Sequence, residues 1–231
     1  MDVWYNTAKT MVGAYLALFV HKIHVVGREN IPAGPKIIVA NHALASDAFI
    51  LPWIFRDKVH CLIQADIFSV PLIGKLLALA DQIPVVAGKG MEALEIAKEK
   101  LDQGDVVALF PEGRLNDGKA MLRAYSGATR LSLQSEAPLI PVGFYTPPKF
   151  AHAIRSSVQG RQTYGSWQFG GPCFISIGET WQPRLESSMN SLFAYNRMVR
   201  SLTDDMMIRI TALVEQARTF SNNFFYPPKS E

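Results

Sequence analysis

The chain has 231 residues, enough for one sizeable α/β domain with a complete core. Apolar residues make up 48% of it and charged residues 19%, below the roughly 25% of an average soluble domain. This composition fits a large core or an apolar surface that meets lipid. The formal charge of +3, with no Lys/Arg block among aromatics, argues against nucleic-acid binding and suits anionic headgroups or phosphorylated substrates.

The first predicted element is a helix over residues 1–22. Its apolar run, 11–20, is shorter than the roughly 20 residues that a membrane span requires. We therefore expect an amphipathic helix in the membrane interface, and the alternative is a core helix of the domain. The residues expected to insert are Met11, Leu16, Leu18 and Phe19, and the expected aromatic anchors are Trp4, Tyr5 and Tyr15.

The remainder, 23–231, is predicted to form a single domain. Apolar strands alternate with helical patterns, which predicts an α/β fold with a mostly parallel central sheet flanked by helices. Strands are predicted at 23–27, 37–40, 59–63, 83–86, 106–110, 139–145 and 173–178. Helices are predicted from 46 or 47, from 69–71, at 90–103, at 126–135 and at 189–220, with a break near 203–204 and an irregular tail from 224.

The two cysteines, Cys61 and Cys173, lie in apolar strand-like segments, where a free thiol behaves as a small hydrophobe. No Cys/His spacing of the zinc-binding kind is present in the sequence. We therefore expect a reduced, cytosol-facing chain.

The first candidate site follows the strand predicted at 37–40. Ligand sites form where parallel strands end, and His42 lies at that point. Asp47 falls in the first turn of the next helix, where its carboxylate can fold back onto the imidazole. A carboxylate on one ring nitrogen lets the other nitrogen take a proton from a hydroxyl. On spacing alone, a structural histidine and a helix-capping Asp47 remain open.

The second candidate site follows the strand predicted at 106–110. Its residues Glu112, Gly113 and Arg114 offer an acid, a flexible backbone and a planar cation suited to phosphate or carboxylate. Arg123 adds positive charge nearby. The alternative is a surface loop with an ordinary Glu–Arg ion pair.

Together these blocks resemble the glycerolipid acyltransferases typified by 1-acylglycerol-3-phosphate acyltransferase. That family carries Asn-His-x-x-x-x-Asp, matched by Asn41, His42 and Asp47, and Phe-Pro-Glu-Gly, matched at 110–113. Its two other blocks are matched at 71–86 and 139–144, so the resemblance spans roughly residues 23–180. The sequence departs from the family pattern at two places. The middle block has Ala87 where the family has an Arg, with Lys89 the nearest cation, and Arg114 comes one residue early.

The resemblance implies acyl transfer from acyl-CoA or acyl carrier protein to the free hydroxyl of a lysophospholipid, by default lysophosphatidic acid. In that reading His42 is the general base and Asp47 orients it, and no metal or other cofactor is needed. The implied substrate-binding residues are Asn41, Lys89, Glu112, Gly113, Arg114 and Arg123. The implied location is the cytoplasmic face of a membrane, as a peripheral or monotopic protein.

Three alternatives stay open. The first is an enzyme of the same family that acts on another lysolipid, an ornithine lipid or a glycolipid. The second is a metal-dependent hydrolase with His42, Asp47 and Glu112 as ligands. The third is a non-catalytic lipid-binding protein.

Overall fold

A computed structural model describes residues 3–116, 118, 120–158, 161–185 and 191–227. Its helices are α1 Val3–Phe19, α2 Asp47–Ile54, α3 Ile73–Leu79, α4 Gly90–Asp102, α5 Gly127–Ser135 and α6 Leu192–Phe225. Its strands are β1 Lys22–Val26, β2 Lys36–Ala40, β3 Val59–Gln64, β4 Ile83–Val85, β5 Val106–Leu109, β6 Leu139–Tyr145, β7 Ala151–Val158, β8 Arg161–Gln168 and β9 Pro172–Ile177.

Seven strands form one sheet in the order β1-β9-β6-β2-β5-β3-β4. Every neighbouring pair is parallel except β6 and β9, which are antiparallel. All five residues of β2 are buried, as expected for a central strand covered on both faces. The predicted mostly parallel sheet flanked by helices is confirmed, and each of the seven predicted strands is present with ends shifted by at most two residues.

The two faces of the sheet carry separate cores, which the alternation along β2 keeps apart. Ile38 and Ala40 belong to the cluster under α1 and α2, and Ile37 and Val39 belong to the cluster under α4, α5 and α6. The sheet thus fixes the ends of β2 and β5 between two packed layers.

Helix α1 packs against α2 and α3. The expectation that Leu16 inserts into a membrane is wrong, because Leu16 is only 5% exposed and lies in the first core cluster with Val20. Val20 directly follows α1, and its N–H donates to the Leu16 carbonyl at 2.8 Å, so both side chains face the core. Tyr5 is also buried rather than interfacial, and its hydroxyl accepts the backbone N–H of Val59 at 2.9 Å. Across the part of the chain that the structure describes, no helix has both the length and the apolar character needed to cross a bilayer.

The hairpin β7–β8 is a separate two-stranded antiparallel sheet that the sequence pattern did not predict. It docks on the loop after β2, where the backbone N–H of Ala45 donates to the carbonyl of Ser166 at 2.8 Å. Its residues are mainly polar or small, so the usual alternation of apolar side chains is weak.

Helix α6 is continuous where a break was predicted near 203–204. The side chain of Thr203 is buried, and its hydroxyl lies 2.7 Å from the carbonyl of Val199 and 2.9 Å from the hydroxyl of Thr129. The buried hydroxyl of Thr203 therefore contacts α5 at the position where the sequence predicted a break. The helix also runs to Phe225, past the predicted start of an irregular tail, and the predicted start at 189 lies outside the described residues.

Candidate active site

The two predicted site loops meet at one edge of the sheet. They follow β2 and β5, which are neighbouring parallel strands with Val39 opposite Leu109. The backbone N–H of His42 donates to Glu112 Oε1 at 3.0 Å, and the backbone N–H of Asn116 donates to the His42 carbonyl at 2.8 Å. The loops are therefore joined at His42 itself.

The imidazole of His42 points one nitrogen at Asp47. Nδ1 lies 3.7 Å from Asp47 Oδ2, beyond hydrogen-bond range, and it is buried with no other hydrogen-bond partner among the described residues. The side chain of His42 keeps 17% exposure. Because Nδ1 faces the protein, Nε2 is the nitrogen left to meet a substrate.

The carboxylate of Asp47 also shapes the loop that carries His42. Oδ2 accepts the backbone N–H groups of Ala43 at 3.0 Å and Leu44 at 2.8 Å. Asp47 occupies the first turn of α2, where a negative charge is favourable. One carboxylate thus bends the loop back and lies opposite the ring.

An aromatic ring lies on the face of His42. The ring centroids of Phe110 and His42 are 4.0 Å apart and the planes are inclined by 15°, which is a stacked pair. The sequence analysis placed Phe110 at the end of a buried strand and at the start of the Phe-Pro-Glu-Gly block, and gave its side chain no role. A signal was present in the motif itself, since Phe110 directly precedes Pro111 and Glu112, but nothing in the spacing showed which way its ring turns.

Glu112 and Asn41 hold the site together through contacts within the chain. Glu112 is 2% exposed, and its carboxylate accepts the N–H groups of His42 and Leu122 and the amide of Asn116. Asn41 is buried, and its amide both accepts from the Phe144 N–H at 2.7 Å and donates to the Phe144 carbonyl at 3.1 Å. Both side chains therefore fix the loops to their neighbours.

Gly113 completes a tight turn after β5. Its φ is +69°, a conformation that favours glycine, and its N–H donates to the carbonyl of Phe110 at 2.9 Å. The amide of Gln64, at the end of β3, donates to the Gly113 carbonyl at 3.0 Å. The sequence pattern did not identify Gln64 as part of this edge.

The predicted cations lie at different distances from this edge of the sheet. Arg114 and Arg123 are exposed residues of the segment between β5 and α5. Lys89 follows β4, three strand positions from β2, which corresponds to about 14 Å at the usual strand spacing. Its Nζ pairs with Glu92 Oε1 at 3.0 Å on the surface of α4. The structure thus brings Arg114 and Arg123 onto the loop next to His42, and leaves Lys89 in the turn between β4 and α4.

A groove of about 230 Å³ separates the hairpin from the loop after β5. It is lined by Leu115, Asn116, Ala153, Tyr164, Gly165 and Ser166. Since Asn116 also bonds the His42 carbonyl, the groove begins beside the His42 loop.

A metal site built from His42, Asp47 and Glu112 is not formed. The Glu112 carboxylate is turned to the backbone and to Asn116, and within the described ranges no three His, Cys, Asp or Glu side chains converge as ligands. The metal-ligand set that the hydrolase alternative assigns to His42, Asp47 and Glu112 is therefore wrong.

An α/β sheet with a histidine and a carboxylate at the ends of its parallel strands fits an enzyme that acts on a hydroxyl group. The model of the family described as Acyltransferase matches residues 22–145, just over half of the chain. The chain therefore belongs to the acyltransferase family.

Named relatives share this region. A 1-acyl-sn-glycerol-3-phosphate acyltransferase of Saccharomyces cerevisiae is 28% identical over 145 residues, which cover 60% of this chain and 46% of that protein. A Pseudomonas aeruginosa protein of the same name is 30% identical over 125 residues, which cover 52% of this chain and 48% of that protein. The matched segments thus span less than half the length of these two relatives.

The crystal structure of the 1-acyl-sn-glycerophosphate (LPA) acyltransferase PlsC from Thermotoga maritima has a similar fold. It aligns with 98% of this chain and 81% of its own chain at a TM-score of 0.66 and 20% identity. That likeness establishes the fold.

Proposed function

We propose that this chain is an O-acyltransferase that moves a fatty acyl group from a thioester to the free hydroxyl of a lysophospholipid, with lysophosphatidic acid as the default acceptor. The observation that carries the proposal is the placement of His42. Its Nδ1 faces Asp47 at 3.7 Å, and its partly exposed ring lies at the edge where β2 and β5 end. Membership of the acyltransferase family and the names of the relatives support the same chemistry.

The proposed reaction is a direct transfer. Nε2 of His42 takes the proton of the acceptor hydroxyl as the oxygen attacks the thioester carbonyl carbon. The new C–O bond forms, the C–S bond breaks, and the leaving thiolate receives that proton from the imidazolium. Asp47 faces Nδ1 and stabilises the imidazolium through its negative charge.

No covalent acyl-enzyme is required. The two cysteines are buried, and burial raises the pKa of the Cys61 thiol to about 12 and that of the Cys173 thiol further, so neither is a ready thiolate nucleophile. The histidine can therefore act on the acceptor itself.

The donor is acyl-CoA or acyl carrier protein, and the acceptor binds near the loop after β5. Arg114 and Arg123 supply the cations for an anionic headgroup there, with Lys89 farther along the same edge. Gly113 allows close backbone approach, and Asn41 and Glu112 give the site its shape. Because Ala87 and the early Arg114 change the family's phosphate-binding residues, another lysolipid, an ornithine lipid or a glycolipid is the second candidate acceptor.

The proposed location is the cytoplasmic face of a membrane, with peripheral or monotopic attachment. Helices α1, α2 and α3 pack together and expose large apolar side chains. These are Val3, Trp4, Met11, Leu18, Phe19, Trp53, Leu72 and Ile73, defined here as the apolar face. Leu72 is 85% exposed at a φ of +65°, in a tight turn closed by the Ile73 N–H on the Pro71 carbonyl at 2.8 Å. Such a turn projects an apolar side chain into the solvent, which fits a lipid contact.

Vesicle binding tests this location. Leu72→Asp should weaken cosedimentation with anionic phospholipid vesicles, because it places a charge in the apolar face. Leu192→Asp is the matched control, since Leu192 is similarly exposed to solvent but lies at the start of α6, outside the apolar face. Equal binding by both variants and the wild type would contradict the assignment of this face.

A donor and acceptor screen tests the activity. Purified protein in detergent is supplied with labelled acyl-CoA or acyl carrier protein and with lysophosphatidic acid, other lysophospholipids, a lyso-ornithine lipid or a glycolipid. Acylated lysophosphatidic acid is the expected product, whereas acylation of only the other acceptors supports the second candidate. Release of free fatty acid without acceptor indicates a hydrolase, and the absence of any turnover indicates a lipid-binding protein; either result refutes the transfer.

A further inference from the structure

We propose that Phe110 is a positioning residue for His42: its ring face holds the imidazole in the plane that points Nδ1 at Asp47 and stabilises the imidazolium formed during transfer. This inference rests on the proposed function, since it assigns a role to Phe110 within the same reaction.

The imidazole is poorly held by hydrogen bonds. Nδ1 has no hydrogen-bond partner among the described residues, and the nearest carboxylate oxygen, Asp47 Oδ2, is 3.7 Å away. That oxygen already accepts two backbone N–H groups, from Ala43 and Leu44. A carboxylate engaged in this way orients the ring less tightly than one that receives a direct hydrogen bond.

The stack with Phe110 supplies the missing restraint. The centroids lie 4.0 Å apart at 15°, so any rotation that tilts the imidazole out of this plane drives it into the Phe110 ring. The stacked Phe110 ring also favours the protonated form of His42 over the neutral form. The face of a phenyl ring is electronegative and attracts a cation within about 6 Å, so an imidazolium at this position is stabilised more than a neutral ring.

Phe110 is itself well anchored. Its carbonyl accepts the Gly113 N–H at 2.9 Å, and the carbonyl of the next residue, Pro111, accepts the Tyr125 N–H at 2.8 Å. The side chain packs against the core cluster beneath α1 and α2. The ring is thus supported by the core on one side and can fix the imidazole on the other.

The test compares two substitutions at Phe110 with one elsewhere. Phe110→Leu keeps an apolar side chain on the core but removes the aromatic face, and Phe110→Tyr keeps that face. Phe220→Leu is the matched control: Phe220 is a partly buried ring that packs on His24 and Phe174, away from the β2 and β5 loops. Steady-state kinetics with the best donor and acceptor give kcat and KM for each, and thermal unfolding gives stability.

The expected result is a loss in kcat of about 2- to 30-fold for Phe110→Leu, with both KM values unchanged. Phe110→Tyr should restore kcat, and Phe220→Leu should lose stability without losing kcat. A merely structural role for Phe110 would instead make the two Leu variants behave alike. Wild-type kcat in Phe110→Leu, a rise in KM alone, or no recovery with Tyr would overturn the inference.

A spectroscopic readout separates this inference from the proposed function. From the stacked geometry we expect the ring current of Phe110 to shift the carbon-bound ring protons of His42 upfield in proton NMR of the wild type. Phe110→Leu should remove that shift, and Phe110→Tyr should keep it. An unchanged His42 signal in Phe110→Leu refutes the stack whatever the activity. A wild type that transfers no acyl group to any acceptor refutes the proposed function instead.

Discussion

Replacing Glu112 by Gln separates a structural role for this side chain from direct substrate binding. The two carboxylate oxygens accept the N–H of His42 at 3.0 Å and the N–H of Leu122 at 2.8 Å, and Asn116 donates to both. A Gln keeps one acceptor oxygen and turns an NH₂ group toward one of those backbone N–H groups. Asn116 cannot simply turn its amide to compensate, because its own oxygen accepts the Gly118 N–H at 2.7 Å.

The substitution should lower the free energy of unfolding by about 3 kcal/mol, because one buried, charge-assisted hydrogen bond is lost and its N–H donor is left unpaired. For a chain of this size that lowers Tm by about 6 to 12 °C, and kcat should fall as well because the His42 loop shifts. Scanning calorimetry and the transfer assay measure both effects. Glu92→Gln is the control, since its exposed ion pair with Lys89 should contribute less than about 1 kcal/mol. An unchanged Tm with a raised KM for the acceptor would refute the structural role and show that Glu112 contacts substrate.

Three further substitutions or conditions test the packing and electrostatics. Gly143→Ala should abolish folding or cost at least about 3 kcal/mol in the free energy of unfolding, because a Cβ there would lie 2.3 Å from the Leu213 backbone of α6; soluble protein with wild-type Tm would contradict this. Partial burial raises the pKa of Asp81, but hydrogen bonds from Lys100 and Lys58 outweigh this effect and leave the pKa of Asp81 below its usual value. The ionised Asp81 carboxylate therefore stabilises the folded state above the unfolded carboxyl pKa of about 3.9, and this stabilisation is lost as the pH falls through the pKa of Asp81 in the folded protein. Asp81→Asn should thus reduce the fall of Tm at acid pH, and an unchanged fall would contradict the ion pairs. Burial raises the pKa of the Cys61 thiol to about 12, so a thiol reagent at pH 8 should label Cys61 only after unfolding. Rapid labelling of Cys61 in the native protein would show that the core around this thiol opens.

The main features of the sheet and the position of the site follow from the sequence, because both depend on local patterns. Apolar runs of four to seven residues mark β2, β5 and β6 as buried strands. Parallel strands end at a common edge, so motifs that follow two of them must lie near one another. The hydrogen bond between His42 and Glu112 is the outcome of that rule.

The sequence could not show which atoms those residues offer. Glu112 and Asn41 belong to motifs that imply substrate binding, yet their polar atoms bond the chain itself, and only the three-dimensional packing decides this. The same holds for α1, where apolar residues occur all round the helix and the period alone does not separate buried Leu16 from exposed Leu18. The stacking of Phe110 likewise depends on a side-chain rotamer.

The hairpin β7–β8 was missed for a different reason. It stands outside the main sheet, so it does not need two apolar faces, and its pattern resembles that of a surface loop. Its contact with the loop after β2, from the Ala45 N–H to the Ser166 carbonyl, is a backbone hydrogen bond, and such bonds do not depend on which residue types are present.

The turnover of His42→Ala tests the account most directly. Nδ1 of the lost side chain has no hydrogen-bond partner among the described residues, so Tm should stay near that of the wild type. Acyl transfer should fall by about a hundred- to ten-thousand-fold, as expected when a general base is removed. His21→Ala, an exposed histidine next to β1, should retain full activity. A folded His42→Ala protein that transfers acyl groups at a rate close to the wild type would contradict the account.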